Sequence, residues 1–275
     1  MPGAPDPAYV RARHALLDAL EALHVHGNAV ILVGAQAVYL HTGEGDLAVA
    51  PYTTDGDLAL DPRMLADNPK LDDVMRAAGF DRSPNPDLIG TWLSPDLVPI
   101  DLLVPDAVGG SGRRGARLGV HGDRTARKGR GLEAVLVDNQ PREIAALDNA
   151  DSRRINVLVA GPAGLLVAKI HKIGERQGNP RRQDSKDALD VYRLLQTVPT
   201  KDLAARLRIL LHEEISGPVT REALDLLGRL FGEPQAIGSQ MAGRAVKLID
   251  DPDLVAASVS VLAGDLLGKL KWNNL

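Results

Sequence analysis

A chain of 275 residues is long enough for one large domain or two small ones. Its 44% hydrophobic and 25% charged residues are ordinary for a globular protein, and a net charge of −4 excludes a general polyanion binder, so any nucleic-acid contact must come from a local patch. The absence of cysteine excludes a disulfide scaffold, a thiol nucleophile and a thiolate zinc site.

The stretch MPGAPDPAYVRARHALLDAL has no basic segment leading into an apolar one, so no signal peptide is expected. No apolar run approaches the ~20 residues that cross a bilayer, and the expected setting is cytoplasmic, with no membrane partner. Apolar positions at Val10, Leu16, Leu17, Leu20 and Leu23 predict a helix over 8–25. AVILV (29–33) reads as a short buried strand, stopped by Gly34, and AQAVYLHT as a helix. DGDLAL reads as a strand and PRMLADNPKLDDVMRAAGF as a helix, with Pro62 near its start and Gly79 near its end. TWL and VPIDLLV (98–104) read as strands, and this alternation predicts an α/β sheet domain. The Gly-rich basic stretch 106–131 reads as loop, and LEAVLVD and INVLVA as strands. From Pro162 helical periods recur over 162–176, 184–196, 201–213, 219–231, 235–249 and 252–270. Breaks at Pro199, Gly217-Pro218 and Gly232-Glu233-Pro234 separate the later ones. The expected organisation is a sheet domain over 1–160 followed by a helical domain over 161–275.

Two positions apart on a strand, Asp55 and Asp57 share a face, with Leu58 and Leu60 on the other. Carboxylates held that close resist joint ionisation unless a cation compensates. Asp101, between Ile100 and Leu102 in an apolar strand, also needs a partner. If the two strands are neighbours, the three carboxylates converge as oxygen ligands for Mg2+ or Mn2+, the arrangement that clamps a phosphoryl transfer. Gly34, between strand and helix, lets a phosphate approach the free amides of a helix N-terminus.

Further on, Lys169, Lys172 and Arg176 fall at i, i+3 and i+7, a basic stripe beside apolar Leu166, Ile170 and Ile173. Asp187 and Asp190 share a face of the next helix. Between Arg113 and Arg130 lie seven Lys or Arg residues and one acid, Asp123, a patch equally consistent with a polyanionic acceptor and with a solvated loop. Tyr52 reads as packing rather than base stacking, and His41, His121 and His171 lack metal-ligand spacing.

In order and content, LVGAQAVYL, TTDGDLAL and VPIDLLV resemble the h-G-[G/S], D-h-D and third-aspartate motifs of the DNA polymerase beta-like nucleotidyltransferases. LLVAKIHKIGER followed by KDALDVYRLL resembles the K-h-x-A-h-x-x-R and R-D-x-x-D-h-Y signatures of the AbiEii and MenT-type toxin nucleotidyltransferases, and the likeness spans roughly 28–195. Ala35 stands where that family has Gly or Ser, Gly56 where it has an apolar residue, and His171-Lys172 where its helix is more apolar. The gap from Gly34 to Asp55 is also longer.

The resemblance implies an α+β fold: a small mixed sheet with flanking helices, followed by a C-terminal helical bundle. It implies metal on Asp55 and Asp57, with Asp101 as a further ligand, and Thr53 beside them. It implies nucleotide contacts from Gly34, Ala35, Thr53, Lys169, Lys172 and Arg176, and Asp187 completing the site, with Asp190 as its competitor. The implied activity is NMP transfer from an NTP to the tRNA 3′ end through the loop 113–130, by a toxin with a cognate antitoxin protein. Alternatives are transfer to a small molecule or a protein side chain, and a catalytically degenerate nucleotide-binding regulator.

Overall fold

The computed structural model describes residues 5–43, 50–112, 114–176 and 185–271. The chain forms two compact units: Met1–Ala37, Pro51–Gly129 and Asn139–Ala160 make the first, and Val38–Ala50, Arg130–Asp138 and Gly161–Leu275 the second. One junction falls between Ala160 and Gly161, and two short stretches before it, 38–50 and 130–138, belong to the second unit.

In the first unit, helix α1 (Pro7–Leu23) starts where Asp6 accepts a hydrogen bond from the Ala8 amide at 2.7 Å and Pro7 occupies the first helical position. A 3-10 turn (His24–Ala29) leads into β1 (Val30–Val33), and α2 (Gly34–Thr42) follows without a linker. Then come β2 (Gly56–Leu60), α3 (Leu71–Ala77), β3 (Asp81–Arg82), β4 (Thr91–Leu93), β5 (Pro99–Pro105) and β6 (Arg127–Gly129). After α4 (Glu133–Val137), which belongs to the second unit, β7 (Asn139–Ala145) and β8 (Arg154–Ala160) complete the sheet.

The eight strands run β3-β4-β5-β2-β1-β8-β7, with β6 also on β5. The sheet is mixed: β2 is antiparallel to β1 and parallel to β5, while β1 is parallel to β8. Leu58, Leu60, Ile100, Leu102 and Val104 are fully buried on one face. That face meets α1, since a Cβ added at Gly56 would lie 2.8 Å from Ile100 Cδ1 and 3.4 Å from Leu16 Cδ1. The missing side chain between the two aspartates therefore makes room for Ile100 and the helix. Asp57 and Asp101, one residue out of phase with this apolar set, sit on the opposite face.

In the second unit, α5 (Pro162–Arg176), α6 (Ser185–Thr197), α7 (Thr200–His212), α8 (Gly217–Phe231), α9 (Ile237–Val246) and α10 (Pro252–Lys271) form a bundle. Leu166, Leu194, Leu207, Leu227, Phe231, Val259 and Leu266 are fully buried in it. The Asp138 carboxylate caps α5 by accepting from the Gly164 amide at 2.9 Å, and Arg206 neutralises it at 2.9 Å. The Arg193 guanidinium lies 5.4 Å from the centre of the Tyr39 ring, a contact within this unit.

Three expectations need correction. The helix predicted from Pro62 begins only at Leu71. Asp61 accepts from both the amide (3.0 Å) and the guanidinium (2.8 Å) of Arg63, a local turn that competes with helix, and Pro69 disfavours helix at Asn68. LEAVLVD forms α4 rather than a strand, because a short apolar run has no distinguishing period; the strand is the polar NQPREIA of β7. Pro141 is tolerated there because β7 is an edge. The basic stretch read as loop carries β6, two 3-10 turns and buried Ala116, Leu118, Thr125 and Ala126.

Leu58→Ala is expected to destabilise the protein by about 2–5 kcal/mol, because the cavity would open between sheet and α1. Chemical denaturation measures it.

Candidate functional site

The first group of site residues is set by strand register. Thr91 on β4 pairs with Asp101 on β5, Asp101 with Asp57 on β2, and Asp57 with Val33 on β1. Residues in register on neighbouring strands point to the same face, with backbones about 4.8 Å apart. Thr91, Asp101 and Asp57 thus form a row across the sheet, and its end abuts Gly34. Gly34 has φ +70°, and a Cβ there would lie 2.0 Å from Asp57 Oδ2. Only glycine allows both the sharp strand-to-helix turn and the space that the carboxylate fills.

Asp55 lies just ahead of β2 rather than within it. Its carboxylate accepts from the buried Thr53 hydroxyl at 2.5 Å, and its carbonyl accepts from the Gln36 side-chain amide at 2.9 Å. Gln36 is in turn held by Arg13 Nε at 2.7 Å, and Arg13 also donates to the Ala145 carbonyl at 2.9 Å. A buried polar chain from α1 through α2 thereby fixes the backbone at Asp55. Ala35 occupies the second position of α2 and is half-buried.

The Asp101 carboxylate is held at both oxygens. Thr91 Oγ1 donates to Oδ1 at 2.5 Å, and Arg127 Nη2 pairs with Oδ2 at 2.7 Å. Among the described residues, no three His, Asp or Glu side chains form a group that could hold a metal by themselves. The donor chemistry here is two register-adjacent carboxylates. It fits a hard dication completed by waters and substrate phosphates rather than a cage built wholly of protein.

The second group lies within the second unit. Lys169 is almost fully buried, and its Nζ is 2.9 Å from Asp187 Oδ1 and 2.7 Å from Asp190 Oδ2. Lys172 Nζ reaches Asp187 Oδ1 at 3.0 Å and Arg176 Nη1 reaches Asp187 Oδ2 at 3.0 Å. All three members of the basic stripe therefore converge on Asp187, in the first turn of α6, where the helix dipole also favours a negative charge. Burial would raise the Asp187 carboxyl, but Lys169 and Lys172 outweigh it and hold it well below the usual range. Burial pushes the Asp190 carboxyl up, only partly opposed by Lys169. Burial would lower the Lys169 ammonium, and the two aspartates hold it well above its ordinary value instead. Lys172 and Arg176 are partly open to solvent, their side chains 37% and 32% exposed.

In the basic stretch, Arg113 lies outside the described residues. Arg127, Lys128 and Arg130 are in ion pairs with Asp101, Asp106 and Glu222, and Arg114 with Asp87. Arg114, Arg117 and Arg124 are exposed. Tyr52 is 39% exposed beside the aspartates in sequence. His121 Nδ1 accepts from the Leu71 amide at 3.1 Å, and the buried His171 bonds the Val219 carbonyl at 2.8 Å.

Sequence reasoning passed over Thr91, Gln36 and Arg13, and took Arg127 only as one of the basic residues of 113–130. Each reaches the aspartates through register or tertiary packing. Compared with known proteins, the chain matches no family model, no curated protein and no solved structure.

Gly34→Ala is expected to cost about 1–3 kcal/mol, since it both strains the backbone and displaces Asp57; denaturant titration reads the loss. Lys169→Met is expected to cost about 3–5 kcal/mol near pH 7, because it takes the ion-pair partner from buried Asp190 and one of three cations from Asp187. Without the ammonium the Asp190 carboxyl, already pushed up by burial, binds its proton still more readily in the folded chain, so the variant gains stability relative to wild type as pH falls toward 4. A deficit that stays constant from pH 7 to 4 would contradict this coupling.

Proposed function

We propose that this chain is a metal-dependent nucleotidyltransferase that moves NMP from an NTP to an acceptor hydroxyl. The observation that carries the reading is the register row that sets Asp101 beside Asp57, with Gly34 cleared for the Asp57 carboxylate. Asp57 and Asp101 are the residues that would hold Mg2+ or Mn2+, with Asp55 just before Asp57 in sequence. Bound there, such an ion would supply charge neutralisation and polarise the α-phosphate.

The acceptor oxygen bonds to the α-phosphorus, the bond to the bridging oxygen breaks, and pyrophosphate leaves. Asp187, whose carboxylate three cations hold ionised and weakly basic, is unsuited to accept the acceptor proton, which passes to solvent. In the second unit, Lys172 and Arg176 are the partly open cations suited to nucleotide phosphates, whereas Lys169 is committed to Asp187 and Asp190. Lys169 thus acts by positioning α5 against α6.

By resemblance, the acceptor is the tRNA 3′ end and the setting a cytoplasmic toxin with a cognate antitoxin protein. The exposed Arg114, Arg117 and Arg124 support a phosphate-backbone contact. No helix among the described residues is long and apolar enough to cross a membrane. A second reading, a degenerate nucleotide-binding regulator, is favoured by the Arg127 guanidinium on Asp101, which a binding module could keep permanently.

The test is incubation with each labelled NTP, Mg2+ and total RNA. Label should appear on tRNA and fall by at least about a hundredfold in Asp57→Asn. Transfer to protein or to small molecules alone would move the acceptor away from RNA, and nucleotide retention without any transfer would support the regulator.

A further inference from the structure

The Asp101–Arg127 pair makes a prediction about order of binding that rests on the nucleotidyltransferase reading. Asp57 and Asp101 are neighbours in register, so their charges repel. Arg127 stands where relief is needed. It comes from β6, which runs parallel to β5 with Leu103 opposite Arg127, and its guanidinium meets the Asp101 oxygen not taken by Thr91. The arginine is not a loose surface group. Its backbone is bridged to Gly115, the following amide of Lys128 bonds the Arg114 carbonyl at 2.7 Å, and the preceding Ala126 is fully buried. Its side chain keeps 36% exposure, so a ligand can reach the guanidinium from solvent.

We propose that Arg127 is the built-in counter-cation of this carboxylate row: it holds Asp101 until a divalent metal arrives together with a triphosphate, whose anionic oxygens take the released guanidinium. A dication approaching Asp101 alone meets a positive charge already in place and must leave that charge without an anion. A metal–triphosphate complex brings its own anion, and a guanidinium pairs well with phosphate oxygens. The site thereby favours the metal–nucleotide complex over free metal, and a free cation alone loads it poorly.

Mn2+ binding, followed by the electron paramagnetic resonance of the free ion, tests this in the full-length protein. Without nucleotide, Arg127→Gln is expected to bind Mn2+ about tenfold more tightly than wild type, since one adjacent positive charge is gone. Arg127→Lys keeps the charge and should stay close to wild type. With a non-hydrolysable NTP present, the gain in Mn2+ affinity on adding nucleotide should be larger in wild type than in Arg127→Gln. Equal Mn2+ affinity in wild type and Arg127→Gln overturns the inference and leaves the metal site standing. Absence of Mn2+ binding in both, with and without nucleotide, overturns the nucleotidyltransferase reading as well. Should Arg127→Gln not fold, the Arg127 Nε–Hε resonance of wild type, assigned through Arg127→Lys, gives the same answer. It should move when Mg2+ and the NTP analogue are added together, and an unmoved signal at saturation overturns the proposal.

Discussion

Two carboxylates on adjacent parallel strands are the constraint around which the first unit is arranged. Full charges about 5 Å apart repel by about 0.8 kcal/mol in bulk water and about 3 kcal/mol at an effective dielectric of ~20. Strand register leaves Asp57 and Asp101 no freedom to separate along the sheet. The surroundings answer the repulsion: a hydroxyl and a guanidinium on Asp101, and a glycine that opens space for Asp57. An apolar pair at these positions would avoid the repulsion altogether. Keeping two acids in register, with Arg127 of β6 offsetting them, costs stability that an apolar pair would not.

The second unit handles charge differently. There, Lys169 is taken out of water, and desolvation of an ammonium is tolerable only because Asp187 and Asp190 meet it at hydrogen-bond distance. Three cations pair with Asp187, whereas among the described residues Asp190 has one ion pair, with Lys169, and a weaker influence from Arg193. That asymmetry explains why the two acids shift in opposite directions, one kept ionised and the other pushed toward its protonated form. The periodicity of α5 shows a basic stripe. The structure shows that the stripe is graded, from a buried residue that fastens two helices to partly open residues a turn or two further on.

Much of the architecture was legible because its signals are local. Short strands bounded by glycine, the helical periods after Pro162 and the Pro/Gly breaks all survive in the structure with small shifts of boundary. What failed were runs whose period is ambiguous, such as LEAVLVD, and a helix start displaced by the Asp61 turn and Pro69. For the candidate site, the acids and the glycine could be named from the chain alone. Thr91 and Arg127 could not, because they meet Asp101 through the pairing of β5 with β4 and β6, and no pattern along a single strand encodes the register of its neighbour.

Register also reorders the aspartates. Alternation along one strand makes Asp55 and Asp57 the natural couple. In the structure β2 begins at Gly56, and the Asp55 carboxylate turns to Thr53 while Gln36 holds its backbone. The couple on regular strand geometry is instead Asp57 with Asp101, separated by 44 residues in the chain and by one strand spacing in space. In the proposed reading this register-locked pair is where a cation would be held, with Asp55 just ahead of it on the chain.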